Sequence, residues 1–396
     1  MKIGILGLDL NSGNKGCEAL AYGFLEIVNS IVRNNEKIDI YLLQKLPTKK
    51  FLHDKCSFNK IKNYYKPKYC FNKLNIHIIF LAHTSNKIFY NFKINHMDFV
   101  IDFTGGDSFS DIYGLLRFYE RTNFKKSIIS HNVPLILGSQ TIGPFEDDNA
   151  KKLAVEIIKN AKIVFARDEI SQKYAEEISE RNVVLTTDVA FALPYTKIEF
   201  PTKKIKIGFN PSGLLWHGGY SGNNQFGLTV DYKKYCREVL ECLTNDERYE
   251  VHLILHSFED NDINISDNDL IPARILHREY DNTILSPLFD SCIDAKSYIA
   301  GMDILIGARM HATIGAFSSG VAVIPFAYSR KFQGLFNSLD YKYIIDAKSL
   351  TTDNAVYNTL KWIEEKDKLK NDMKIGKQLI DSKLELFKKE LSNLIN

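Results

Sequence analysis

The sequence predicts an α/β protein made of two parallel-sheet domains, and three observations carry that expectation. Its 396 residues are more than one ordinary hydrophobic core organises. Short apolar runs alternate with helix-period segments along most of the chain, the pattern of βαβ units whose sheet is covered on both faces. The alternation halts at a polar, proline-containing stretch, residues 193–202, and then resumes. The expected boundaries are 1–195 for a first domain, 203–350 for a second, and 351–396 for a helical segment that crosses back onto the first. Two such domains leave an interdomain cleft, where ligands of two-domain proteins usually bind.

Taken in order, residues 2–8 read as a first strand, 9–16 as a polar loop and 17–32 as a helix. A second strand follows at 38–43. Residues 50–95 are rich in Lys, Asn and Tyr and match no simple period, apart from an amphipathic piece near 76–92. Further strands are expected at 98–103, 135–138 and 163–166, each followed by a loop and a helix. The second series places strands at 206–209, 251–256, 303–306, 321–325 and 343–345. Helices at 232–243, 295–300 and 311–318 separate them, and a long helix runs from about 355 onward.

Composition excludes several classes. With 51 basic and 48 acidic residues the net charge is only +3, so charge does not point to nucleic acid. No run approaches the length of a membrane span, and the N-terminal apolar run is too short for a signal peptide. The expected location is cytoplasmic. The Lys/Glu/Asp-mixed tail, 361–389, reads as a solvated amphipathic helix, with contact to an anionic lipid surface as the alternative. Six cysteines without Cys-x-x-Cys spacing read as reduced thiols, with neither a disulfide framework nor a zinc site.

The chemistry-bearing residues gather at strand ends, where open α/β sheets hold their ligands. An apolar run ends at Gly307-Ala308-Arg309-Met310-His311 and opens into a small-residue helix. If 308–311 are extended, Arg309 and His311 project to one side, setting a permanent cation and a titratable imidazole beside a helix N-terminus that favours anions. The plainer alternative is a surface arginine and a satisfied core histidine. The loop Asn14-Lys15-Gly16-Cys17-Glu18 follows the first strand; Glu18 there either contacts a ligand or complements its own helix dipole. Gly105-Gly106-Asp107 and Ser139-Gln140-Thr141 offer close backbone approach, a carboxylate, an amide and hydroxyls suited to a sugar. Arg167 ends a strand; Asp168 and Glu169 read as the cap and first turn of the next helix, and either could pair with it. His256, in His256-Ser257-Phe258-Glu259-Asp260, is a weaker candidate. No ligand spacing argues for a metal.

In order along the chain, the blocks Asn14-Lys15-Gly16-Cys17-Glu18-Ala19-Leu20, Gly105-Gly106-Asp107, Ser139-Gln140-Thr141-Ile142-Gly143-Pro144, Ala166-Arg167-Asp168-Glu169, Thr187-Asp188, Arg309-Met310-His311 and Tyr328-Ser329-Arg330-Lys331-Phe332 resemble those of polysaccharide pyruvyl transferases. The resemblance implies two Rossmann-like domains in a glycosyltransferase-B-like arrangement. It also implies transfer of pyruvate from phosphoenolpyruvate to a sugar of a capsular or exopolysaccharide unit as a cyclic ketal. No cofactor is implied, phosphoenolpyruvate being the donor substrate.

Under that resemblance His311 is the expected proton carrier, with Arg309 beside it as the second catalytic group. Arg309, Arg167, Lys331 and His256 would bind the donor's carboxylate and phosphate. Asn14, Glu18, Gly105, Gly106, Asp107 and Gln140 would hold the acceptor sugar on the first domain. The acceptor could be lipid-linked and met at the inner membrane face. Two rival functions share the fold: a nucleotide-sugar-dependent glycosyltransferase and a non-catalytic carbohydrate-binding paralogue.

Overall fold

The computed structural model describes residues 1–45, 67–81, 83–84, 87–88, 94–258 and 266–395. They form two compact units. Unit 1 comprises residues 1–11, 20–189 and 382–396, and unit 2 residues 12–19 and 190–381. The short segment 12–19, which sequence reading leaves with the first domain, thus packs with unit 2.

Unit 1 contains β1 (Lys2–Leu6), β2 (Ile38–Lys45), β3 (Leu74–Leu81), the small hairpin β4 (His83–Thr84) and β5 (Lys87–Ile88), β6 (Phe99–Asp102), β7 (Leu135–Gln140), β8 (Ile163–Ala166) and β9 (Val184–Leu185). Seven of these form one sheet in the order β3-β2-β1-β6-β7-β8-β9, with every neighbouring pair parallel. The strands are apolar because helices cover both faces: β6 and β7 have no exposed residue. The Leu74–Leu81 strand explains part of the unassigned stretch; most of 50–95, including much of the amphipathic piece, lies outside the described residues. From residue 382 the last helix, Lys366–Ile395, belongs to unit 1, where Phe387 packs against Phe165 and Phe24 at centroid distances of 4.8 and 6.4 Å.

Unit 2 contains β10 (Ile205–Asn210), β11 (Tyr249–Leu253), β12 (Ile284–Leu285), β13 (Ile304–Gly307), β14 (Ala322–Ala327) and β15 (Ile345–Asp346). Its sheet runs β12-β11-β10-β13-β14-β15, again all parallel. Numbered from its own first strand this order is 3-2-1-4-5-6, that of the doubly wound dinucleotide-binding fold. Unit 1 repeats it with one extra strand at the edge once the hairpin is set aside. The expected single C-terminal helix is instead two, Thr352–Glu364 and Lys366–Ile395, with neither glycine nor proline at the break. No helix among the described residues is long and apolar enough to cross a membrane.

Candidate functional site

Open parallel sheets bind ligands beyond the carboxyl ends of their strands, where the strand order reverses. In unit 2 that point lies between β10 and β13. The side chain of Asn210, the last residue of β10, donates to the Ile254 carbonyl and accepts the Arg309 backbone N–H, both at 2.9 Å. Asp269 is fully buried and joins three strand ends, accepting backbone N–H groups of Gly213 (2.9 Å), His256 (3.2 Å) and Ser257 (3.0 Å). The same carboxylate receives Arg309 Nε at 3.0 Å and Nη2 at 2.6 Å, while Asp267 receives Nη1. A guanidinium pinned by two carboxylates is fixed in orientation as well as charge. Asp267 and Asp269 escape sequence reading because no apolar run precedes them; they sit ahead of the helix Leu270–Glu279, and Arg309 is 40 residues from Asp269.

Arg309 is extended (φ −99°, ψ 121°), but the helix Met310–Ser318 begins at the next residue, so Arg309 and His311 do not lie along one extended face. The Thr313 N–H closes the first turn on the Arg309 carbonyl at 3.1 Å. The sequence hides this start because no Ser, Thr, Asp or Asn stands at the cap, and no side chain caps the helix. The neighbouring strand β14 repeats the arrangement. Ser329 precedes the helix Arg330–Asn337 without capping it, and among the described residues its buried Oγ finds no partner. Elsewhere in unit 2, Ser212, Asp231, Ser291 and Thr351 cap their helices, while Asp269 ahead of Leu270–Glu279 does not, its carboxylate being engaged by Gly213, His256, Ser257 and Arg309. Two adjacent strands therefore deliver two helix N-termini that their own cap side chains leave uncapped, each presenting the positive end of a helix dipole. Lys331 stands in the first turn of the second helix, its Nζ 5.8 Å from the Tyr328 ring centroid.

The segment 12–19 completes this side of unit 2. Lys15 N–H donates to the His256 carbonyl (2.9 Å), Phe258 N–H donates to the Gly13 carbonyl (3.0 Å), and Asn14 bridges Ser257. A Cβ on Gly16 would fall on the His311 imidazole at Nδ1 and Cγ, so only glycine lets that ring lie where it does. Glu18 is fully buried with both oxygens engaged: Oε1 by Ser12 N–H and Lys15 Nζ, Oε2 by Cys292 N–H, each at 3.0 Å. Glu18 thus fastens the segment to the first turn of the helix Cys292–Ala300, a structural duty that uses its acceptor oxygens. Burial, and then the charges of His311, Arg309 and Lys15, hold the His256 imidazole well below its ordinary pKa. It stays neutral amid cations.

The remaining sequence-selected residues lie in unit 1. Gly105 and Gly106 have positive φ (68° and 89°), and a Cβ on Gly106 would meet Leu20 Cδ1 at 2.8 Å and Arg167 Nη1 at 3.3 Å. Asp107 accepts the Tyr113 hydroxyl at 2.8 Å. Gln140 is fully buried and donates to the Asp102 carbonyl at 2.7 Å. Arg167 pairs with Asp188 (2.8 Å) and donates Nε to Thr141 Oγ1 (2.8 Å) rather than meeting Asp168 or Glu169. Asp168 instead caps the helix Glu169–Ser179, as its place in the sequence suggests. Asn14, Glu18, His256, Arg309, His311 and Lys331 thus fall in unit 2; Gly105, Gly106, Asp107, Gln140 and Arg167 fall in unit 1. Sequence reading divides them differently, with Asn14 and Glu18 on the first domain and Arg167 among the donor groups. Glu259 and Asp260 lie outside the described residues. The described residues hold no group of three potential metal ligands.

Two Rossmann-type units, each with the doubly wound strand order, define a glycosyltransferase-B-like protein. Residues 14–330 match the polysaccharide pyruvyl transferase family, and the chain belongs to it. A curated relative, the amylovoran biosynthesis protein AmsJ of Erwinia amylovora, is 21% identical, covering 92% of this chain and 94% of AmsJ. Among solved structures, the UDP-GlcNAc 2-epimerase of Neisseria meningitidis bound to UDP-GlcNAc superposes with a TM-score of 0.56 at 11% identity, over 100% of both chains. The UDP-GlcNAc 2-epimerase of Methanocaldococcus jannaschii does so at 0.51 and 10%, over 91% of this chain and 92% of the other. At such identities the likeness concerns the fold alone.

Proposed function

We propose that the protein transfers pyruvate from phosphoenolpyruvate to two hydroxyls of a sugar in an exopolysaccharide repeat unit, forming a cyclic ketal and releasing phosphate. The observation that carries this reading is the pair of uncapped helix N-termini after β13 and β14, flanked by His311, Ser329 and Lys331. A donor with a carboxylate and a phosphate calls for two anion-favouring positions, and two helix dipole ends beside cations suit that need. Arg309 is the fixed member of the set, its orientation held by Asp267 and Asp269.

The chemistry then runs as two additions. A proton goes to the methylene carbon of the enol ester while one sugar hydroxyl oxygen bonds to the central carbon. Cleavage of the C–O bond to phosphate gives an oxocarbenium ion, which the second hydroxyl captures. Of the two hydroxyl protons, one replaces the proton given to carbon and the other leaves with phosphate. His256, kept neutral, is a poor acid near pH 7, which leaves His311 as the proton carrier. The repeat unit is the acceptor in this reading, with free and lipid-carried forms as the two to compare.

The test is phosphate release and product mass with phosphoenolpyruvate and a glycoside panel. Replacing His311 by Ala should lower transfer by about 10²–10⁴-fold, the usual range for a general acid–base, with donor affinity nearly unchanged. Undiminished turnover in that variant, or thermal stabilisation by nucleotide sugars and not by phosphoenolpyruvate, would reject the reading.

A further inference from the structure

The other end of β10 chemistry lies one segment away. After Asn210 the chain turns through Pro211 and Ser212 into the short helix Gly213–Trp216, then through a glycine-rich loop to the helix Tyr232–Thr244. Gly218, Gly219, Gly222 and Gly227 all have positive φ, and a Cβ on Gly218 or Gly219 would strike the loop's own atoms, so the loop curls tightly on itself. Between loop and helices lies a cavity of about 550 Å³, inside the roughly 300–1,000 Å³ range of small-molecule sites.

Its lining combines apolar side chains, Phe226 and Leu228 among them, with a balanced polar rim. Trp216, also in the lining, is 6% exposed. Lys233 and Arg237 lie 5.6 and 5.2 Å from its ring, and Arg237 is itself paired with Glu279 through two hydrogen bonds. His217 shares Nδ1 with the Gly213 carbonyl at 2.9 Å, which leaves Nε2 for a ligand. Asp231 uses Oδ1 to cap its helix and keeps Oδ2. One carboxylate and one ammonium, from Asp231 and Lys233, therefore balance within the cavity's lining. That balance disfavours a phosphate or a free cation. A polyol with apolar C–H faces and hydroxyl edges matches the half-buried Phe226 and Leu228 ringed by both donors and acceptors.

The cavity also adjoins the anion-directed site. Its wall residue Phe226 packs edge-on against Tyr328 at 4.9 Å, one residue before Ser329. On the same loop, the Tyr220 hydroxyl has its pKa pushed up to about 12, by burial first and then by the Asp267 carboxylate. We propose that this cavity is a saccharide subsite that takes a neutral sugar unit of the acceptor, next to the unit that receives pyruvate. The word acceptor rests on the pyruvyl-transfer reading; the saccharide chemistry of the cavity does not.

Trp216 and Trp362 are the two tryptophans of the chain, which gives the site its own reporter. In a Trp362→Phe background, lactose, cellobiose and maltose are titrated while Trp216 emission is followed. A saturable change with at least one disaccharide is expected, weakened about tenfold or more by Asp231→Asn and by His217→Ala through the lost hydrogen bonds. Asp231→Asn retains an oxygen for the helix cap, so folding is kept while the charge is lost. In transfer assays both variants should raise the acceptor KM and leave the donor KM as it was. A silent Trp216 with all three sugars, or an unchanged acceptor KM in both variants, would overturn the subsite. Saccharide binding at Trp216 in a protein that transfers no pyruvate would instead overturn the donor reading and leave the subsite standing.

Discussion

The two units share a strand order and differ at the place where that order reverses. In unit 1 the reversal lies between β1 and β6, and backbone fills it. The Gly7 carbonyl accepts the Gly105 N–H at 2.8 Å, and a Cβ on Gly7 would come within 2.5 Å of the Thr104 nitrogen. In unit 2 the reversal lies between β10 and β13, and side chains line it: Asn210, Asp269 and Arg309. Topology alone therefore does not make a site. Unit 1 packs glycine backbone there and pairs Asp102, which ends β6, with the buried Lys125 at 3.0 Å; unit 2 sets Arg309 between two aspartates and starts a helix at the very next residue. The buried arginines repeat the contrast. Both are paired, Arg167 with Asp188 in unit 1 and Arg309 with Asp267 and Asp269 in unit 2, but only Arg309 stands one residue ahead of a helix N-terminus that carries His311.

The largest expected effect separates those arginines. Truncating either leaves a buried carboxylate unpaired, so Arg167→Ala and Arg309→Ala should each cost about 3–5 kcal/mol of stability in urea unfolding. Their effects on ligand should diverge. Arg309→Ala should also weaken phosphoenolpyruvate binding by about tenfold or more in calorimetry, through loss of a charge-assisted contact. Arg167→Ala should leave that affinity close to wild type. Equal losses of donor affinity in the two variants would erase the distinction between the units.

Legibility in the sequence followed the range of the interactions. The strand at 163–166 is readable to the residue because four apolar side chains are bounded by polar ones, and the helix after it because Asp168 caps it locally. The helix after Arg309 is displaced from its expected start because its cap position carries no capping side chain. Glu18 reads equally as a ligand contact or a dipole partner, since the bond that decides its duty reaches Cys292, 274 positions away. Asp269 is invisible for the same reason, its partners being Gly213, His256 and Arg309 rather than neighbours in sequence. The trough of the C-terminal helix at Glu365 has no local signal at all.

A pH series sharpens the picture of unit 2 at intermediate scale. His256 has its folded-state pKa lowered, by burial first and then by neighbouring charge. Above about pH 6.5 both folded and unfolded forms are neutral there, and the group adds no pH dependence. As pH falls below that value the unfolded chain takes up the proton and the folded one does not, so stability declines. The slope from this one group is at most about 1.4 kcal/mol per pH unit. His252, also lowered by burial, adds a term of the same sign. Urea midpoints at pH 7.5 and 5.5 should therefore fall further apart in wild type than in His256→Gln. Identical pH shifts in the two proteins would mean that His256 is not buried in its neutral form.

The smallest expected effect probes the caps themselves. Asp168 accepts the Ser171 N–H at 2.8 Å and the Ser171 hydroxyl at 2.9 Å, so the helix Glu169–Ser179 has its first turn satisfied from within. Asp168→Ala should cost about 1 kcal/mol, as cap removals usually do, and should not change phosphoenolpyruvate affinity. Thr351→Ala, which removes a cap in unit 2 away from the strand ends of β13 and β14, should behave in the same way. If an uncapped first turn is what recruits an anion after β13 and β14, a helix whose cap is deleted elsewhere gains bare N–H groups but lacks Arg309, His311 and Lys331 around them. New phosphoenolpyruvate binding at either uncapped helix would show that exposed N–H groups suffice, and that the charged side chains of unit 2 are not what distinguishes it.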